Sequence, residues 1–166
     1  MVTLTNIIPS LRRTIPDPLT GDRWPEHTIA STTDVFVSGV SLVRLSELCE
    51  TPCVHNAAAV IPGSGGRPSP VNMASVVVLR VTAVRHDHGH EDEVVVDGHV
   101  EHCRTIPSEA RLIGRVSTAH AVPLHLGFRD SETCDVRLPG DIHIGDLVAV
   151  PCVGMTMLRD VRGNAR

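Results

Sequence analysis

Apolar and polar positions alternate along this chain in short runs separated by turn residues, and most of the runs read as strands. The longest is 74–85, Ala-Ser-Val-Val-Val-Leu-Arg-Val-Thr-Ala-Val-Arg, where dense β-branched residues favour a pleated surface over a helix. A polar segment at 87–92 follows, and Glu93 to Asp97 runs back, which predicts a hairpin. Shorter strand patterns lie at 34–38, 113–116, 134–138 and 147–150, and 53–60 is expected to be extended. Pro139-Gly140 and Gly145-Asp146 punctuate the last of them. Ser41 reads as a helix N-cap, with Leu42, Leu45 and Leu48 on one face of a helix that Thr51-Pro52 stops. Residues 1–33 read as an irregular arm, 61–73 as a Pro/Gly-rich linker and 159–166 as a tail. The expectation is a mainly β domain over 34–158: a small antiparallel β-barrel with one or two short helices.

Composition narrows the classes. The 166 residues fit one domain, and 42% hydrophobic with 20% charged residues is ordinary for a globular protein. A net charge of −4 gives no electrostatic grip on nucleic acid. No run of about 20 apolar residues predicts a membrane span, and no signal-like segment opens the chain, so the expected location is the cytoplasm. Five Cys, an odd number at scattered positions, suit reduced thiols. All 15 Lys/Arg positions are Arg, and without a lysine no side-chain amine can form a Schiff base.

Three segments carry a family resemblance. The first is 37–54, with Gly39-Val40-Ser41-Leu42, the spaced leucines and Thr51-Pro52. The second is 76–85 followed by Val94-Val-Val-Asp-Gly98, and the third joins 113–117, 135–139 and 144–151 with its Gly145-Asp146 turn. In order and spacing they resemble the opening segment, the first barrel hairpin and the last barrel strands of the fold-type III pyridoxal-phosphate (PLP) decarboxylases, such as diaminopimelate decarboxylase. The resemblance covers residues 34–60 and 74–155. It implies the C-terminal β-barrel of that family with the PLP-binding (β/α) barrel missing, since only 61–73 stands in its place. It also implies a homodimer, as the relatives dimerise. Where the family has a Cys and an acid reaching into the partner's active site, this chain reads Ser117-Thr118-Ala119-His120. Where it has Gly-Ala-Tyr on the cofactor, this chain reads Cys152-Val153-Gly154-Met155. Asp34-Val-Phe-Val-Ser-Gly39 with Val43-Arg44 is also similar to a repeat of the spike-tip proteins of contractile injection machines, but no second copy follows.

Candidate chemistry follows from these positions. His120, beside Ser117 and Thr118, is a candidate general acid/base with a hydroxyl neighbour, and His99 is a further catalytic candidate. Arg104 falls near the place where the resemblance puts a substrate carboxylate. Thr118, Cys152 and Met155 are candidate substrate contacts. His86, His88 and His90 alternate through an acidic stretch and could ligate Zn or Fe; a solvated hairpin tip is the other reading of that stretch. The expected function is a cofactor-independent enzyme on a small-molecule substrate, of isomerase, cyclase or dehydratase type, within specialised metabolism. A non-catalytic partner or dimerisation domain and a His-rich metal-binding domain remain open alternatives.

Overall fold

The computed structural model describes residues 8–86, 91–128 and 132–163. Among these the strands are β1 (Thr28–Ala30), β2 (Val35–Val37), β3 (Val40–Ser41), β4 (Cys53–Val60), β5 (Pro68–Arg85), β6 (Glu93–Val96), β7 (Arg111–Ile113), β8 (Ala121–Gly127), β9 (Cys134–Pro139) and β10 (Leu147–Val153). The helices are α1 (Leu42–Cys49) and α2 (Leu158–Arg162), with 3-10 turns at Pro9–Arg13, Gly21–Arg23 and Pro107–Glu109.

The 18-residue β5 organises the sheet. Its N-terminal part pairs with β4, its middle with β10 and its C-terminal end with β6. The full order is β7-β10-β5-β6-β8-β9. β7 and β9, the ends of that order, come together, so the sheet is a nearly closed barrel. Neighbouring strands are antiparallel except β6 and β8, which run parallel. A break in register between Val81 and Ala83 lets β5 turn from one wall of the barrel to the next.

Successive residues of a strand point to opposite faces, and both faces of β5 are buried. Val77, Leu79 and Val81 face the barrel interior with Leu124, Leu126, Val136, Leu138, Val148 and Val150. Val76 and Val78 face outward into a second core with Trp24, Val35, Val37, Leu42 and Ala149. A strand buried on both sides reads as a continuous apolar run rather than an alternation, which is why 76–79 is Val-Val-Val-Leu. The outer core is roofed by the three-stranded sheet β1-β2-β3 and by α1. Ser41 caps α1 by accepting from the Arg44 amide. Asp34 clamps the roof: its carboxylate accepts from the Val35 and Val43 amides and from the Ser41 hydroxyl.

Several expectations change. Residues 68–73, expected as linker, are the first part of β5, and only 61–67 turn between β4 and β5. The expected tail forms α2, held because Val161 is fully buried and Asp160 accepts from the Met157 amide. β8 was not anticipated, because Pro123 interrupts its pattern. That proline lies where β8 pairs with β9 alone, clear of the parallel pairing at 125–127, so its missing N–H costs no bond to β6. The described part of the arm packs on the body: Pro25 bridges Ala59, and the Trp24 indole N–H donates to Glu109 at 2.9 Å.

Gly98 marks the tightest approach behind the β6 turn. A Cβ there would lie 2.5 Å from Leu79 Cδ2 and 2.8 Å from Pro52 Cβ. Gly98→Ala is expected to cost about 1–3 kcal/mol, as overpacking of a filled core does. Gly21→Ala, where nothing lies within 4 Å, serves as the control. Urea denaturation compares the two; equal midpoints would refute the assignment.

Candidate functional site

A depression of about 660 Å³ lies between the arm and the open end of the β4–β5–β10 wall. Small-molecule sites typically measure about 300–1,000 Å³. Trp24 and Arg23 from the arm form one side, and Val60, Val71, Asn72 and Met73 of the β4–β5 hairpin form another. Arg104, Ile106, Cys152, Val153 and Met155 complete it. The arm is tied at both ends of this wall. Asp22 accepts from the Gly63 amide at 2.9 Å, and Glu109 accepts from Trp24 and from the Thr20 amide.

Arg104 reaches the groove because residues 104–106 pair with β10. Thr105 bridges Cys152, the Val153 amide donates to the Arg104 carbonyl at 2.9 Å, and the Ile106 amide donates to the Pro151 carbonyl at 2.8 Å. The two arginines of the groove differ in their commitments. Arg23 donates to Ser108 at 2.8 Å and lies 4.0 Å from Glu109. The Arg104 guanidinium is exposed and forms no ion pair among the described residues. Three of the four predicted substrate contacts, Arg104, Cys152 and Met155, therefore share one groove.

The other predicted residues lie elsewhere. Ser117 is buried, and its hydroxyl donates to Asp141 at 2.6 Å. It lines a cleft of only about 80 Å³ near Arg111 and Arg137. Asp141 belongs to a charge network around Arg115, whose guanidinium grips Asp146 through Nε and Nη2, both at 2.7 Å, and reaches Asp141 at 3.2 Å. His143 adds a contact to Asp146 at 2.7 Å. Burial pushes the Asp141 and Asp146 carboxyls up, but hydrogen bonds from Ser117 and Arg115 to the first, and from Arg115 and His143 to the second, hold both below the ordinary aspartate value. A carboxylate so stabilised is a weak base, which makes Ser117 a buttress of the β9–β10 turn. Thr118 and His120 are exposed, and the His120 carbonyl accepts from the Gly140 amide at 2.9 Å. His99 sits at the far end of α2, bonded to Glu101 at 2.8 Å and tilted 44° against Phe128 with 4.0 Å between ring centroids.

Of the histidines considered as metal ligands, His88 and His90 lie outside the described residues, and His86 pairs with Asp92 at 2.8 Å. Among the described residues, Glu91, His125 and Asp135 have donor atoms within 4.8 Å of one another. The β8–β9 register places His125 opposite Asp135, with the ring Nδ1 2.8 Å from its carboxylate. His125 and Asp135 meet only through the register of two consecutive strands, which no motif in the sequence announces.

No family model and no curated protein matches the chain. Among solved structures, the arginine decarboxylase of Paramecium bursaria Chlorella virus is 22% identical over 52% of this chain and 28% of that chain, with a TM-score of 0.38. The same enzyme bound to agmatine is 21% identical over 52% of this chain and 27% of that chain, with a TM-score of 0.34. This chain thus spans little more than a quarter of the enzyme it is similar to. Among the described residues no helix is long and apolar enough to cross a membrane.

The Arg115 network makes a stability prediction. Asp146 is 4% exposed at its side chain but its partner Arg115 is 29% exposed, so solvent screens the pair and removing the carboxylate is expected to cost about 1–3 kcal/mol. Asp146→Asn should destabilise by that order in chemical denaturation at neutral pH. Because the folded carboxyls titrate below the ordinary value of 3.8, their contribution is full above that value. It is lost as pH falls through the folded pKa. Wild-type stability should therefore drop below about pH 4, while the variant shows a shallower acid limb; parallel acid limbs would contradict this account.

Proposed function

We propose that the domain holds a small molecule with an acidic group and an apolar body in the 660 Å³ groove, and acts on it without PLP. The observation that carries this reading is Arg104, whose exposed guanidinium forms no ion pair among the described residues and stands at the rim of a depression lined mainly by apolar side chains. A guanidinium offers paired donors to a carboxylate. Trp24, Val71, Met73, Ile106 and Met155 supply apolar contact for the rest of the ligand. The PLP that the sequence resemblance would bring does not fit this chain. Its basic residues are all arginines, and an arginine offers no amine for an aldimine.

What the groove contributes to chemistry is positioning. His120, Ser117 and His99 do not line it, and the neighbouring Cys103 thiol together with burial pushes the Cys152 thiol far above its ordinary pKa, so it is no nucleophile at neutral pH. A cyclisation or isomerisation of a flexible acid suits such a site, because fixing the reactive conformer is itself a large part of the barrier. A second reading, a docking face for a partner or another copy of the chain, is supported by Val71 at 82% and Met155 at 59% exposure along the same rim.

The naphthalene-sulfonate dye ANS, an anion on an apolar body, is a suitable probe. Arg104→Gln should raise its Kd about tenfold, the equivalent of about 1.4 kcal/mol, whereas Arg159→Gln on the exposed face of α2 should leave it unchanged. Fluorescence titration reads both. Equal affinity in wild type and Arg104→Gln would remove Arg104 from the site, and concentration-dependent dimerisation blocked by Met155→Glu would favour the docking face.

A further inference from the structure

The outer face of the β6–β8–β9 wall brings one imidazole between two carboxylates from separate parts of the chain. Leu124, Leu126 and Val136 belong to the barrel interior, so their neighbours His125 on β8 and Asp135 on β9 point outward. The register sets Asp135 opposite His125 on one side and Glu93 of β6 opposite it on the other. β8 is fastened at this point, because the His125 amide donates to the Asp92 carbonyl at 2.9 Å. His125 Nδ1 lies 2.8 Å from the Asp135 carboxylate, and Nε2 lies 3.8 Å from Oε2 of Glu91. The donor atoms of all three residues fall within 4.8 Å of one another. His125 and Glu91 are 37% and 43% exposed at their side chains, so an ion can reach them from solvent.

We propose that His125 and Glu91 bind a divalent transition ion, with Zn²⁺ the best match, and that Asp135 positions the imidazole for it. The contact at Nδ1 decides these roles. A carboxylate only accepts, so Asp135 holds the ring proton on Nδ1 and leaves the Nε2 lone pair facing Glu91. A lone pair and a carboxylate oxygen repel unless a cation stands between them. At 3.8 Å they are too far apart to share a proton. A tetrahedral Zn²⁺ bonded at about 2.1 Å to each would hold them about 3.4 Å apart, a few tenths of an ångström from where they stand. Nitrogen mixed with carboxylate oxygen suits Zn²⁺ better than Mg²⁺ or Ca²⁺, which take oxygen alone.

The surroundings favour a cation. Glu91, Asp92 and Glu93 make this rim acidic, and Arg85 is paired with Glu93 at 3.0 Å. With two protein ligands, water completes the coordination and the ion stays open to solvent. None of these residues lines the groove, so the site stands independently of the ligand reading above.

Zinc chloride titrated into the full chain tests the assignment, read by calorimetry and by NMR of histidine ring nitrogens. One ion per chain should bind, shifting the His125 Nε2 resonance while Nδ1 keeps its proton, and magnesium chloride should not compete. His125→Gln and Glu91→Gln should each abolish the saturable step. Asp135→Ala should raise the Kd about 10–100-fold and let the proton spread over both ring nitrogens, which a merely structural role would not do. If a variant fails to fold, the wild-type Nε2 shift still decides. Two other ligand sets are covered by the same titration. Zinc kept by His125→Gln but lost from the His88→Gln/His90→Gln double variant would move the ion to the hairpin. A thiolate charge-transfer band with Co²⁺ would move it to the cysteines. Either result, or no saturable binding to the wild type, would overturn the proposal; equal affinity in wild type and Asp135→Ala would refute the role of Asp135.

Discussion

Everything in this molecule depends on β5 having two faces to bury. Val77 and Leu79 on one side and Val76 and Val78 on the other are completely inaccessible, so neither a bare barrel nor a bare sandwich would satisfy the strand. The barrel closes over the inner face. The outer face needs a separate roof, which β1-β2-β3, α1 and Trp24 provide. Trp24 in turn fixes the arm in front of the β4–β5 hairpin, and the arm is what turns a sheet face into a groove. The path from a run of valines to a candidate binding site is therefore short and physical.

The parts of this architecture legible in the sequence were those whose causes are local. Ser41 as a cap and the leucines of α1 need only their own helix. The apolar run of β5 declares burial on both sides. Arg104, Cys152 and Met155 were singled out through the family resemblance, and they do converge. Ser117 was legible as a polar residue in a significant place but not as a structural one, because its partner Asp141 comes 24 residues later. His125 and Asp135 meet only through strand register. Trp24 offered no hint of lining a groove, since its indole partner Glu109 is 85 residues distant.

Charge follows a similar division. Arg115 is locked by two aspartates, Arg44 by Glu47, and Arg162 donates to the carbonyls of Pro52 and Cys49. These guanidiniums act as fixed struts, a role suited to a planar cation with several donors. Arg104 differs from them in having its backbone pinned to β10 while its head group forms no ion pair among the described residues. Rigid attachment combined with an exposed head is what a recognition residue requires, because little ordering remains to be done when an anion arrives.

The seven residues of 61–67 between β4 and β5 carry one more implication. The strand ends they join are hydrogen-bonded neighbours, since Val60 lies opposite Pro68. Chain that leaves the domain at this point returns a single strand spacing away. Any folded unit whose own termini lie side by side could therefore be spliced in or lifted out here without moving a residue of either core. In engineering terms the turn is a natural port: a place to graft a reporter or a second domain directly beside the groove.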